Sequence, residues 1–69
     1  MPRDYSKLKG RLAEKGYTRE KFAEAIGISA VALYRRMKGE LDFKQTEIKK
    51  AAEILDIHGD EITAYFFDV

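Results

Sequence analysis

Apolar residues recur along this chain at helical spacing, and glycines divide them into five blocks. Tyr5, Leu8 and Leu12 fall at i, i+3 and i+7, which predicts a first helix with Asp4 or Ser6 as its cap and Gly16 as its stop. Gly10 inside it costs about 1 kcal/mol relative to Ala. Thr18 is placed to cap a second helix whose Phe22, Ala23 and Ile26 share a face, and Gly27 to end it in the left-handed conformation. Ser29 then caps a third helix only two residues later, so the two helices must meet at a sharp angle. At 100° per residue, Ala30, Leu33 and Met37 of this third helix take the core side, with Val31, Arg35 and Lys38 near the opposite side. Gly39 ends it. A loop through Glu40, Leu41, Asp42 and Phe43 leads to a fourth helix with Ile48, Ala51, Ala52 and Leu55 on one face. After Gly59, the acids Asp60 and Glu61 suit the positive end of a last helix that points Ile62, Tyr65 and Phe66 inward. The expectation is an all-α fold, a compact five-helix domain occupying residues 1–69 as one unit.

With 69 residues and no cysteine, the chain has room for one small core and no disulfide, thiolate zinc site or cysteine nucleophile. Its N-terminus lacks the apolar run of a signal peptide and no stretch approaches transmembrane length, so a cytoplasmic setting is expected. A core this small gains from reinforcement, and dimerisation is the obvious form. Net charge is only +1, but it is unevenly placed: residues 1–38 hold ten basic against four acidic side chains, and residues 39–69 hold three against eight. One half, at +6, can face polyphosphate while the other, at −5, is repelled by it.

A short helix, a tight glycine turn and a second helix with an outward cationic stripe form a helix-turn-helix arrangement, in which the second helix enters the major groove. The run from Thr18 to Gly39, TREKFAEAIGISAVALYRRMKG, resembles the motif of phage Cro and repressor-type regulators, the XRE-like family. Small Ala23, Gly27 in the turn and apolar Leu33 stand where that motif places them, and Asp42 to Leu55 and Tyr65-Phe66-Phe67 extend the resemblance over nearly the whole chain. The resemblance implies a lambda-repressor-like fold and a Cro-like regulator that binds double-stranded DNA as a weak homodimer, inserting helix 29–38 into the major groove.

By the same resemblance, the base-facing positions are Ser29, Ala30, Val31, Tyr34 and Arg35. Arg35 is the strong reader, able to bond guanine O6 and N7 bidentately, whereas Ala30 and Val31 offer only apolar contact to a thymine methyl. Family members commonly carry polar readers there, so direct readout looks sparse and shape readout gains weight. Thr18, Arg19, Lys38 and Lys44 are expected to position the protein on phosphates. A rival reading is an antirepressor or antitoxin-like module that uses the same fold to bind another regulator, and the weak readers at Ala30 to Ala32 favour it.

Enzymatic sites find little support. His58 has no partner at ligand spacing, the acids Asp56, Asp60 and Glu61 have a sufficient helix-dipole explanation, and the glycines form no phosphate loop. No metal, cofactor or small-molecule ligand is expected, and no membrane contact. Phe67 lies at about 140° from Ile62, and Ile54 at about 240° from Ile48, so both fall outside the faces their helices bury. They are the expected dimer contacts.

Overall fold

The computed structural model describes residues 5–67. Helix α1 is Ser6–Glu14, α2 Arg19–Ile26, α3 Ala30–Met37 and α4 Gln45–Leu55; a 3-10 turn at Gly59–Glu61 runs on through Ile62 into a π-helical turn at Thr63–Phe67, together α5. No strand occurs among the described residues. Helix α2 packs on both α3 and α4, and α1 packs on α5.

The start and the end of the chain depart from sequence expectation. Tyr5, not Ser6, is the N-cap of α1; it holds a left-handed φ of 52° with no capping side-chain hydrogen bond. Its ring is fully buried, so core packing rather than capping chemistry sets this start. Asp4 lies outside the described residues. The last helix is not a regular α-helix: it opens as a 3-10 turn and closes as a π turn in which Tyr65 and Phe66 are both buried, as expected. Phe43, from the loop before α4, completes the aromatic cluster edge-on to Tyr5 at 5.5 Å and to Phe66 at 5.2 Å between centroids.

The interior boundaries follow the expected chemistry. The Thr18 hydroxyl accepts from the Lys21 N–H at 3.1 Å, and the Ser29 hydroxyl from the Ala32 N–H at 3.0 Å. Gly27 takes φ 82° between α2 and α3, and the Ile28 N–H donates back to the Ala23 carbonyl at 2.9 Å, closing the turn. Phe22, Ala23, Ile26, Leu33, Met37, Ile48, Ala51 and Leu55 form the middle of the core.

Two polar devices that periodicity does not reveal tie the helices together. Arg11 reaches across from α1 to the end of α4, where its Nε donates to the Leu55 carbonyl and its Nη2 to the Asp56 carbonyl, each at 2.9 Å. Those carbonyls are among the groups a helix C-terminus leaves unpaired, and a cation suits the negative end of the helix dipole. Arg36 of α3 is buried against Glu47 of α4, with Nε donating to Oε1 at 2.9 Å and Nη2 to Oε2 at 3.2 Å. Arg36 therefore lies on the inward side of α3 with Leu33 and Met37, while Ala30, expected there, is exposed. An arginine is tolerated in that place because a carboxylate meets it in a bidentate pair.

Candidate functional site

Helix α3 presents an outward face built from Ala30, Val31, Tyr34, Arg35 and Lys38, all exposed. Its orientation is held from inside. Leu33 and Met37 enter the core, and the Arg36 guanidinium is locked to Glu47 while its Nη1 donates to the Ala32 carbonyl at 3.2 Å. Glu47 Oε1 also accepts from the Lys44 N–H at 2.9 Å, so the same carboxylate that anchors α3 caps α4 and fixes the loop between them.

The character of this face is more apolar than the sequence suggests. Among the described residues the exposed large hydrophobic side chains are Val31 (63%), Tyr34 (53%), Leu41 (45%) and Phe67 (63%), and three of the four belong to α3 or the loop that follows it. The cations around them are largely engaged. Arg36 is consumed by Glu47. The Lys38 ammonium lies 3.2 Å from a Glu40 carboxylate oxygen and 5.1 Å from the centroid of the Tyr34 ring. Its hydrogen bond to Glu40 and that carboxylate's charge, followed by the Tyr34 side chain, raise its pKa above the ordinary lysine value. Of the cations on α3, Arg35 is the one whose side chain makes no hydrogen bond or ion pair among the described residues.

The other sequence-expected contacts lie around rather than on this face. Thr18 and Arg19 open α2, both exposed, and Lys44 precedes α4 at the far end of the loop from Lys38. Ser29 has its hydroxyl occupied by the cap of α3. The two expected dimer residues differ in exposure. Ile54 is half-buried against the core, whereas Phe67 is exposed and lines a groove between α4 and α5 in which Ile54 has no part. Packing from beyond its own helix covers Ile54, which a single-helix projection does not register. Leu41, Arg36 and Glu47 were not singled out as functional, since Leu41 stands in a loop without periodicity and the two charged residues are eleven positions apart.

A family model described as "Protein of unknown function (DUF739)" matches residues 1–69. No curated protein matches the chain. Among solved structures, the chain is similar to the modulator of repression of the temperate bacteriophage TP901-1 from Lactococcus lactis, with 35% sequence identity and a TM-score of 0.80 over 99% of this chain and 92% of that one.

Proposed function

The chain belongs to the DUF739 family, and from that premise we propose that it is a phage-type regulator of transcription that acts by docking the outward face of α3 on another regulatory protein. The observation that carries this reading is the exposure of the large apolar side chains Val31 and Tyr34 on α3 and Leu41 in the loop that follows it, with Arg35 the cation of that helix whose side chain is unpaired among the described residues. Protein interfaces concentrate their binding energy in Tyr and Arg side chains set among apolar neighbours. Binding to DNA depends instead on many free cations that neutralise phosphates. On α3 that supply is short, because Arg36 and Lys38 already have carboxylate partners. The similarity to a modulator of repression supports the same direction, since a modulator of repression acts on a regulatory process. On this reading the protein works in the cytoplasm, needs no cofactor and catalyses nothing.

A second reading, a Cro-like repressor that inserts α3 into the major groove, is favoured by the order of elements. A Thr18-capped α2 beginning with Arg19, a Gly27 turn and a Ser29-capped α3 carrying Arg35 reproduce the layout of a helix-turn-helix. Fluorescence anisotropy with a pool of random-sequence duplexes at two salt concentrations separates the readings. Docking on a protein predicts only weak, non-selective association, in the range of about 10⁻⁴ to 10⁻⁶ M at physiological salt. A selected duplex bound more tightly than that by about a thousandfold, with the preference lost in Arg35→Ala, would establish the DNA reading and displace the protein one.

A further inference from the structure

Away from α3, the groove between α4 and α5 has a volume of about 840 Å³ and a largely apolar lining that includes Ile48, Ala52, Ile57 and Ile62. Phe67, 63% exposed, stands beside it rather than filling it. We propose that this groove is a homodimer interface, in which each copy inserts its Phe67 ring into the groove of the other while Lys49 of each copy pairs with Glu53 of its mate.

Two features on the page point to a second copy rather than to a foreign chain. A two-fold interface must be self-complementary, because the same patch meets itself; a projection and a recess side by side on one patch satisfy that requirement. Here the projection is Phe67 and the recess is the groove it borders. The charges obey the same rule. Lys49 and Glu53 both line the groove, one helical turn apart on α4, and neither makes an ion pair among the described residues. Two α4 helices laid antiparallel across a two-fold axis that passes level with the midpoint between Lys49 and Glu53 bring each Lys49 opposite the partner's Glu53, twice by symmetry. A partner rim of a single charge would satisfy one of these residues and repel the other. Half-buried Ala52, which lines the groove with them, is small enough to let the two helices approach closely. None of these residues is on the α3 face, so the proposal stands apart from the reading of that face.

Sedimentation equilibrium of the full chain over a wide concentration range tests it, with far-UV circular dichroism confirming that each variant folds. All three substituted positions are exposed, so the fold is expected to survive. The wild type should dimerise. Phe67→Asp should weaken association by about tenfold or more, as removal of a central aromatic anchor does. Lys49→Glu and Glu53→Lys should each lose the dimer alone, and an equimolar mixture of the two should regain it as a heterodimer, since the swapped charges then match at both contacts. A wild type that remains monomeric at every concentration, a Phe67→Asp variant that associates as well as wild type, or charge variants that fail to pair when mixed would each overturn the proposal. So would a monomer whose groove instead takes up a foreign amphipathic peptide.

Discussion

Arg36 Nε donates to Glu47 Oε1 at 2.9 Å, and these two are the buried charged side chains among the described residues. The pair joins α3, whose outward face is exposed, to α4, which borders the apolar groove. Removing one member leaves the other charged, buried and without its counter-ion, at a cost of roughly 3 to 5 kcal/mol. Native stability is about 0.05 to 0.15 kcal/mol per residue, so in a chain of 69 residues such a loss rivals the whole. Urea unfolding of Glu47→Leu should therefore show a largely unfolded or strongly destabilised protein, and Arg36→Met combined with Glu47→Leu should recover most of the stability. Single variants as stable as wild type would mean that the pair contributes nothing.

The glycines make a paired prediction of opposite sign. Gly10 lies within α1 with nothing within 4 Å of where a Cβ would stand, so Gly10→Ala should stabilise by about 0.5 to 1 kcal/mol through helix propensity. Gly27 holds φ 82°, and its Cβ would meet only the Lys50 ammonium at 3.6 Å, an ordinary contact. The penalty at Gly27→Ala is thus a backbone one, about 1 to 2 kcal/mol destabilising. Thermal melts of the two variants should move in opposite directions.

Thr18→Ala and Ser29→Ala each remove a side-chain acceptor from a helix N-terminus, and each should lower stability by about 1 kcal/mol in denaturant titrations. Ser29→Asp should retain most of it, since aspartate caps as well as serine. If Ser29→Ala is neutral, the hydroxyl is not acting as the cap.

Lys38 offers a test by pH. A raised ammonium pKa means that the folded chain favours the protonated form; the resulting stabilisation is complete below the ordinary lysine range and disappears as pH rises through the raised value. The side chain is exposed, so the readout is the titration itself. In Glu40→Gln the Lys38 midpoint, followed by NMR through the alkaline range, should fall toward that of a free lysine. An unchanged midpoint would show that Glu40 does not hold the ammonium.

Much of this fold was legible in the sequence because it rests on local chemistry. Thr18, Gly27, Ser29 and Gly39 act through their own backbone or the next turn, and Leu8, Leu12, Phe22, Ile26, Leu33 and Leu55 announce their buried faces by spacing alone. Illegible were the features made by residues distant in sequence. Arg36 falls three positions after Leu33 and one before Met37, a core-facing place on the helix, yet a charge there reads as surface until Glu47 is seen to meet it. Side-chain pairing on α3 is likewise invisible in the charge count of the first half. Its +6 is a property of the chain, whereas the face of α3 is left with Arg35 once Glu47 and Glu40 have engaged its neighbours. Ile54, placed at the flank by the projection of its own helix, is half-buried against the core.

The central claim, that α3 docks on a regulatory protein, is tested most directly by following the backbone amide resonances of the ¹⁵N-labelled chain during titration with the DNA-binding repressor encoded by the same genome, and separately with a short duplex. The account predicts that the repressor shifts the amides of Val31, Tyr34, Arg35 and Leu41 and leaves those of α1 in place. Val31→Asp or Tyr34→Ala should weaken that binding by about 2 kcal/mol or more. Saturable, sequence-selective shifts of the same amides by the duplex, with none from the repressor, would contradict it.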